Sequence, residues 1–327
     1  MNGGRPPGPA AQAVPYLTAD DVAAVTFPAA VDAVYHALMG GLDVAAAPAR
    51  TNVPVRAGHL LLMPGEVDDF VGVKVASVAP DNPARGKPRI QGSVLLMDAA
   101  SLAPVALING IALTALRTPA VSVAAVQQLR PVRPARVVVF GAGPQAAGHV
   151  TSLHQVVGIS EVTVIARNPD HAAQLVAKVA ADLQIPSRVG NLADLEHADV
   201  VVCATTARTP LFAAADLRAG AIVVAVGSHE PDVAELDPEL LAGAQVVVED
   251  PATALREAGD VVLARSRSKL DAADLVPLAS IVRGEVAVDA ARARVFKSVG
   301  MAWEDVVVAA EVYRSWAGRR TGVATDG

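Results

Sequence analysis

The sequence contains very little of what cysteine or metal chemistry would need. Cys203 is the only cysteine among 327 residues, so an internal disulfide is excluded and a cysteine-based metal site is disfavoured. Within its apolar stretch it is interpreted as a buried strand residue. The histidines His59, His149, His154 and His171 are scattered without metal-ligand spacing. No metal site is predicted.

Long uncharged hydrophobic runs are also missing. Hydrophobic residues make up 52% of the chain, but no uncharged run is apolar throughout the roughly 20 residues that span a bilayer, since the longest, 137–160, is interrupted by glycine, proline, glutamine and histidine. Residues 1–16 (MNGGRPPGPAAQAVPY) hold proline and glycine and no apolar core of a signal peptide. They are expected to form a disordered tail. A cytoplasmic protein without a membrane partner is predicted.

An excess of positive charge is absent as well. The chain has 27 Lys and Arg against 33 Asp and Glu, a net charge of −6, and no basic block. This argues against nucleic acid as a main partner. The length suggests two domains.

The pattern of apolar runs changes along the chain. A helix is predicted over 18–38, where Thr18 is a possible N-cap. The short apolar runs 59–64, 71–78, 92–99 and 104–110 are typical of a mainly antiparallel sheet. After residue 136 strand-like and helix-like stretches alternate, with helices predicted to about 157 and over 170–183. The near-continuous β-branched runs 136–140, 161–166, 199–204, 221–226 and 244–249 predict a parallel, doubly wound α/β sheet.

The segment RVVVFGAGPQAA (136–147) leads from a buried strand into a glycine-rich turn. Gly141 permits the tight turn, Gly143 lets a pyrophosphate approach the backbone, and Ala146 is small enough for close helix packing. The anion would bind free N–H groups at a helix N-terminus. The motif predicts cofactor contacts at Gly141, Ala142, Gly143, Pro144 and Gln145. A glycine-rich turn without a ligand is the alternative.

The end of the second strand bears on the choice of cofactor. NAD sites of this kind carry an acid there, whereas this strand is followed by Ala166, Arg167 and Asn168. Arginine and asparagine can bind a 2′-phosphate, which favours NADPH over NADH. A solvated arginine after a strand is the alternative. Ligands bind at the carboxyl ends of such strands, which also places Thr205, Val226, Gly227 and Ser228 at the cofactor.

Three cations, Arg50, Lys74 and Arg117, lie in otherwise apolar stretches. A desolvated cation needs a counter-charge, which a bound carboxylate or phosphate would supply. Arginine would do so with two parallel hydrogen bonds and lysine as a compact charge that can also move a proton. Surface positions or structural ion pairs are the alternative. Thr118 and Pro119 follow Arg117 at a predicted helix start, where free N–H groups could face cofactor phosphates.

Several stretches resemble the ornithine cyclodeaminase/mu-crystallin family. The most specific are the TALRT and FKSVGMAWED segments, since neither is a general dinucleotide signature. The stretches are ARTNVPV (49–55), VGVKVASVAPDN (71–82), NGIALTALRTPAVS (109–122), VVFGAGPQA (138–146), AVGSHEPDVAELDPELL (225–241), LREAGDVVL (255–263) and VFKSVGMAWEDVVVAAEVYRSW (295–316).

The resemblance implies a Rossmann domain inserted into a second α+β domain that binds substrate and forms a homodimer. On that basis residues 17–125 and 301–327 are expected to form the substrate and dimerisation domain, and 126–300 the dinucleotide-binding domain. The resemblance further implies that Arg50 and Arg117 hold the substrate carboxylate or lie beside it and that Lys74 transfers a proton at the reacting nitrogen. It places Glu257 near the substrate and Ser298 near the nicotinamide. For Glu257, an exposed glutamate at a helix end is the alternative.

Position 229 separates activities within this resemblance. Ornithine cyclodeaminases carry an aspartate where this sequence has His229, so the segment is closer to the ketimine reductase and mu-crystallin side. His229 could act as an acid or base, and a solvent-facing histidine is the alternative. The resemblance therefore implies an NAD(P)H-dependent reductase of an α-imino acid, or the reverse amino-acid dehydrogenase. The alternatives are an ornithine cyclodeaminase with tightly held NAD and a non-catalytic protein that binds NADPH and a small carboxylate.

Overall fold

The computed structural model describes residues 13–228 and 230–321. Its strands are β1 (Tyr16–Leu17), β2 (Thr51–Val55), β3 (Gly58–Val67), β4 (Phe70–Val78), β5 (Ile90–Asp98), β6 (Pro104–Asn109), β7 (Ala135–Phe140), β8 (Ile159–Ile165), β9 (Ser187–Val189), β10 (Val200–Cys203), β11 (Ile222–Ala225), β12 (Gln245–Val248), β13 (Leu275–Pro277) and β14 (Arg294–Lys297). Its α-helices are α1 (Ala19–Ala23), α2 (Phe27–Met39), α3 (Gly110–Gln128), α4 (Pro144–Val156), α5 (Pro169–Leu183), α6 (Pro238–Gly243), α7 (Pro251–Glu257), α8 (Gly259–Ser266), α9 (Leu278–Val282) and α10 (Ala302–Thr321).

The strands of the first half form a sheet in the order β1-β6-β5-β4-β3-β2. Strands β2 to β6 pair antiparallel, as expected from the short apolar runs, and β1 adds parallel to β6. Helix α10 packs on β3, β4 and β5 and on helices α2 and α3. Two glycines allow this contact: a Cβ at Gly72 would lie 2.8 Å from Val306 and one at Gly65 would lie 3.1 Å from Ala302. The first turn of α10 therefore lies directly on the strands.

The second sheet is parallel, in the order β13-β12-β14-β11-β10-β7-β8-β9. Its central side chains alternate between two cores. Val137, Val139, Val200 and Val202 face one cluster, and Val138, Val201 and Cys203 face the other. Burial on both faces explains why these strands read as continuous apolar runs. The predicted α/β class and the doubly wound sheet are confirmed, and Cys203 is a fully buried strand residue.

The chain enters the second sheet through α3 and returns to the first sheet through α10. The C-terminal strand β14 lies between β11 and β12, and α10 begins five residues after it ends. The carboxyl ends of β11, β12 and β14 consequently face the region where α10 meets β4. No α-helix in the described ranges is long and apolar enough to cross a membrane.

Some boundaries differ from the sequence expectations. Tyr16, expected in the disordered tail, pairs with Leu107 in β1, so the predicted end of the tail at residue 16 is wrong. Residues 1–12 lie outside the described residues. The helix predicted over 18–38 is two helices. Thr26 is extended and its hydroxyl accepts the amide of Ala29 at 3.3 Å, while Pro28 has no N–H to continue a helix from α1.

The predicted helix start at Thr118 is wrong. Asn109 caps α3 nine residues earlier by accepting the amide of Ala112 at 3.0 Å, and the helix continues through Pro119 to Gln128. Proline suggested a helix start, but its neighbours along the middle of this helix are buried and packing keeps the helix intact. Thr118 lies in the helix interior. It cannot offer a free terminal N–H to a phosphate.

Candidate functional site

The predicted dinucleotide turn has the geometry of an anion site. Gly141 adopts a φ of +103°, and a Cβ there would lie 2.4 Å from the Ala204 carbonyl oxygen, so the turn requires glycine. Gly143 is the N-cap of α4 and makes no side-chain cap. A Cβ at Gly143 would meet nothing within 4 Å. The start of α4 therefore offers open backbone N–H groups, which suit a pyrophosphate.

Neighbouring side chains support this turn. Pro144 occupies the first helical position of α4, where a missing N–H is tolerated. Ala146 is fully buried, as expected for close packing of helix on strand. The side-chain amide of Gln145 donates from Nε2 to the Thr114 carbonyl at 3.3 Å, which links the turn to α3. Ala142 is partly buried beside it.

The end of β8 lies beside the turn, because the Gly141 amide donates to the Ile165 carbonyl at 2.9 Å. Arg167 is exposed at this end of the strand, in the position expected for a residue that selects the cofactor. Asn168, the other residue predicted at the 2′-phosphate, also has a structural role. Its side-chain oxygen accepts the amides of Asp170 and His171 at 2.9 and 3.4 Å and so caps α5. Arg167 is the better candidate for contact with a 2′-phosphate.

The ends of β10, β11 and β14 hold the other predicted cofactor residues. Thr205 and Gly227 both bind the carboxylate of Glu235: the Thr205 hydroxyl donates at 2.6 Å and the Gly227 amide at 2.7 Å. The Ser228 hydroxyl donates to the Val233 carbonyl at 2.5 Å. Val226 continues β11, with its amide donating to the Cys203 carbonyl at 3.0 Å. These residues line one edge of the sheet.

Ser298 follows β14 at the same edge, and its hydroxyl donates to Glu249 at 2.6 Å. His229, predicted as a possible acid or base, lies outside the described residues.

The three predicted cations converge around the start of α10. Lys74 and Arg117 share one carboxylate oxygen of Asp305, with Nζ at 3.0 Å and Nε at 3.1 Å. Lys74 also donates to the Thr114 hydroxyl at 2.7 Å. Arg117 Nη1 contacts Glu304 at 2.5 Å. The side chain of Lys74 is 6% exposed and that of Arg117 is 8% exposed, so both cations are largely removed from water.

Arg50 reaches the same cluster from the other side. One of its nitrogens donates to the Val299 and Gly300 carbonyls at 3.0 and 2.7 Å, and its Nε lies 2.7 Å from Glu257. Because Glu257 ends α7 of the parallel-sheet unit and Arg50 precedes β2, this ion pair bridges the two units. Glu257 is thereby placed beside Arg50, another residue predicted at the substrate. It also receives two hydrogen bonds from Arg256, at 2.9 and 2.6 Å.

Gly300 brings the two arginines together. It adopts a φ of +75°, and a Cβ there would lie 2.7 Å from Nη1 of Arg117. Its carbonyl accepts from Arg50. The glycine is therefore required both by its backbone conformation and by the guanidinium packed against it.

The counter-charges come from the protein itself, which corrects the expectation that a ligand would supply them. Asp305 and Glu304 balance Lys74 and Arg117, and Glu257 balances Arg50. These acids were not singled out from the sequence. The signal that identified Lys74, a charge inside an apolar run, applies equally to the Glu-Asp pair in GMAWEDVVVAA. Acids are also favourable in the first turn of a helix.

A fourth carboxyl group, Glu249, accepts the amides of Val299 and Gly300 at 3.0 and 2.8 Å. Burial, together with the neighbouring Glu249, raises the pKa of Glu304 well above its usual range despite the attraction of Arg117. The charged form of Glu304 is therefore less favoured than that of an exposed glutamate.

The protonation of the two buried cations differs. Burial lowers the pKa of Lys74, and Asp305 only partly opposes this. Burial would also lower the pKa of Arg117, but Asp305 and Glu304 outweigh it and raise the pKa. Arg117 is thus a permanent charge. Lys74 is a cation that can release a proton more readily than an exposed lysine.

Comparison with known proteins gives a consistent answer. The ornithine cyclodeaminase/mu-crystallin family model matches residues 18–320. A Delta(1)-pyrroline-2-carboxylate/Delta(1)-piperideine-2-carboxylate reductase from Azospirillum brasilense is 34% identical over 321 residues, covering 94% of this chain and 98% of that protein. The ketimine reductase mu-crystallin of Mus musculus is 33% identical over 275 residues, covering 83% and 85%.

Solved structures agree with this. A Delta(1)-pyrroline-2-carboxylate reductase from Thermococcus litoralis, in complex with NADH and L-proline, has a TM-score of 0.86 at 28% identity and covers 96% of this chain and 100% of its own. An archaeal alanine dehydrogenase dimer with bound NAD has a TM-score of 0.86 at 25% identity, covering 94% and 97%. The resemblance read from the sequence is confirmed: the chain belongs to the ornithine cyclodeaminase/mu-crystallin family.

Proposed function

We propose that this protein is an NAD(P)H-dependent reductase of α-imino acids, with cyclic imines such as 1-pyrroline-2-carboxylate and 1-piperideine-2-carboxylate as the favoured class. One observation carries the proposal: the buried cations Lys74 and Arg117 and the half-buried Arg50, each paired with a carboxylate of the protein, meet where the start of α10 faces the carboxyl edge of a sheet that has an open dinucleotide turn.

The cations retain donors for this carboxylate. Among the described residues, Nη1 of Arg50 and Nη2 of Arg117 make no hydrogen bond. Lys74 uses two of its three donor positions, on Thr114 and Asp305. Each of these free nitrogens carries two N–H donors, so one nitrogen from each arginine can bind the carboxylate. We therefore assign orientation of the substrate to Arg50 and Arg117.

A bound nicotinamide dinucleotide would supply the hydride for the carbon of the C=N bond. Lys74 would donate the proton that the neutral imine nitrogen takes up as hydride reaches the carbon, which gives the amine. Its lowered pKa makes release of that proton easier than from an exposed lysine. Asp305 stabilises the charged form before transfer. Because the arginines hold the carboxylate, they fix which carbon lies in line for reduction.

For the dinucleotide itself we propose contacts with the start of α4, with the edge residues Thr205, Gly227, Ser228 and Ser298, and with Arg167. The lack of an acid after β8 and the exposed Arg167 at its end favour NADPH over NADH.

We also propose a homodimer formed through the outward face of the first sheet. This face exposes apolar side chains that the helices on the opposite face do not cover, including Val55, Val75 and Leu107. Exposed sheet faces and edges of this kind are normally covered by a partner. An archaeal alanine dehydrogenase with the same fold is a dimer.

Residues 17–125 with the C-terminal helix would then serve as the substrate and dimerisation domain, and 126–300 as the dinucleotide domain. The lone buried thiol of Cys203 supports a cytoplasmic location, since disulfides mark oxidising compartments.

The deciding experiment is an NADPH and NADH oxidation assay with each cyclic imine, and with pyruvate or oxaloacetate plus ammonia. Steady oxidation with an imine supports the proposed reductase. Formation of proline and ammonia from ornithine without net oxidation would instead identify a cyclodeaminase. Cofactor binding without turnover on any substrate would identify a binding protein.

A further inference from the structure

Lys297 is a buried cation that takes no part in the substrate cluster. It ends β14, between β11 and β12, with no solvent exposure. Its Nζ donates to the Ser228 carbonyl at 2.6 Å and lies 3.0 Å from Asp260, which is equally inaccessible. A pair buried this completely is not needed for solubility and is costly to desolvate. Its position and partners indicate what it does.

Asp260 connects this pair to the far end of the loop that follows β11. Its other oxygen accepts the amides of Glu235 and Leu236 at 2.7 and 2.8 Å. Lys297 holds the start of the loop and Asp260 holds its end. The loop is also packed closely against α8, since a Cβ at Gly259 would lie 1.9 Å from the Val233 carbonyl oxygen.

Glu235 extends the connection to the preceding strand. Its carboxylate accepts the Gly227 amide at 2.7 Å and the Thr205 amide and hydroxyl at 2.9 and 2.6 Å. The space between them is filled, because a Cβ at Gly227 would lie 2.2 Å from the Thr205 carbonyl oxygen. Residues following β10, β11 and β14 are thus joined through one buried network.

From this arrangement we infer that Lys297 and Asp260 are positioning residues for the dinucleotide: the pair fixes residues 227–228 and 235–236, at the two ends of the loop after β11, so that Thr205, Gly227 and Ser228 form a preset cofactor surface beside Ser298. The inference rests on the proposed function for the identity of the ligand. It adds residues that no cofactor motif in the sequence identified. Neither Lys297 nor Asp260 need touch the cofactor for its affinity to depend on them.

The test uses a double variant, Lys297→Met with Asp260→Asn. It removes both buried charges together and keeps an amide oxygen for the Glu235 and Leu236 amides, so neither Lys297 nor Asp260 is left as a buried charge without the other. The carbonyl of Ser228 loses its donor. We expect the NADPH Kd, measured by nicotinamide fluorescence, to rise about tenfold, with a matching rise in the NADPH KM and little change in the KM of the imine.

The matched control is Arg294→Met, at the amino end of the same strand. Arg294 donates to the carbonyls of Leu129 and Gly220. These contacts lie at the amino end of the parallel strands, opposite the carboxyl end where the ligand is proposed to bind. This variant should lower the Tm and leave the NADPH Kd within about twofold of the wild type. A merely structural role for Lys297 predicts that the two variants behave alike.

A folded double variant with wild-type NADPH affinity would overturn the inference. Hydrogen exchange on the wild-type protein without ligand tests it independently of any variant. The backbone amides of Gly227, Glu235 and Leu236 should exchange slowly. Exchange at the rate of an exposed loop would refute the proposal that Lys297 and Asp260 fix this loop. A wild-type protein that binds neither NADPH nor NADH would overturn the proposed function itself, whereas slow exchange of these amides would still show the loop to be held.

Discussion

Replacing Lys74 by methionine separates its chemical role from its structural one. Methionine keeps most of the buried stem and removes the proton and the charge. If Lys74 delivers the proton as hydride arrives, kcat should fall by about 10²- to 10⁴-fold. The NADPH Kd should be nearly unchanged, because Lys74 contacts Thr114 and Asp305 and none of the residues at the dinucleotide turn.

The same substitution affects stability through Asp305. This carboxylate is 1% exposed and would lose one of its two cationic partners, keeping Arg117 Nε at 3.1 Å. Leaving a buried charge wholly unpaired costs roughly 3–5 kcal/mol. With Arg117 retained, about 2 kcal/mol is expected. Chemical denaturation measures this loss.

A second variant distinguishes the two effects. Adding Asp305→Asn to Lys74→Met removes the surplus negative charge, so the free energy of unfolding should recover to within about 1 kcal/mol of the wild type while kcat stays low. The wild type should also lose kcat as pH rises through the lowered pKa of Lys74, since only the protonated amine can donate. The two Lys74→Met variants should not show this loss of kcat with rising pH. A folded Lys74→Met protein with near-normal kcat on a verified imine would refute the reasoning.

Four other predictions follow from named contacts. Arg117→Lys keeps the charge but loses the planar pair of donors, so it should raise the KM for the imine and also lower kcat, and steady-state kinetics with unchanged values would contradict the orienting role. Arg167→Ala should weaken NADPH binding by about 1.5–3 kcal/mol and NADH binding far less; calorimetry showing equal losses would exclude contact with the 2′-phosphate. Burial lowers the pKa of His149 to about 4, so the unfolded chain binds more protons than the folded one between about pH 6.5 and 4. The free energy of unfolding should therefore fall by about 3 kcal/mol as the pH drops through that window. His149→Gln should remove this dependence, and a Tm that follows pH as in the wild type would contradict it. Leu107→Glu, on the outward sheet face, should give a monomer by light scattering, while Val189→Glu, equally apolar and exposed on the edge strand of the other sheet, should remain dimeric; a dimer in both would place the interface elsewhere.

Local chemistry explains which parts of the molecule could be predicted. The dinucleotide turn depends on residues adjacent in sequence, so Gly141 and Gly143 could be assigned from spacing alone. The parallel strands were visible because burial on both faces leaves continuous β-branched runs. The start of α3 could not be placed in this way. Pro119 is a legitimate signal for a helix start, and only the capping by Asn109 and the packing of the helix show that it lies in the interior.

The cation cluster shows the same division. Lys74 and Arg117 stand out as charges in apolar stretches, so the sequence marked them as unusual. Their partners Glu304 and Asp305 lie more than 180 residues away along the chain, and pairing at that separation follows from how α10 returns across β4. Sequence spacing carries no information about such a return.

By itself, the sequence determined the family, the α/β class and the glycine-rich turn before α4, because each depends on short segments of neighbouring residues. The tertiary structure alone decided that the cations are balanced by the protein's own carboxylates, that Arg50 and Glu257 join the two units, and that Lys297 and Asp260 hold the loop after β11. These are contacts between distant segments. They exist only when glycines such as Gly72 and Gly300 let helix, strand and guanidinium approach closely, and whether that space is used depends on the folded chain as a whole.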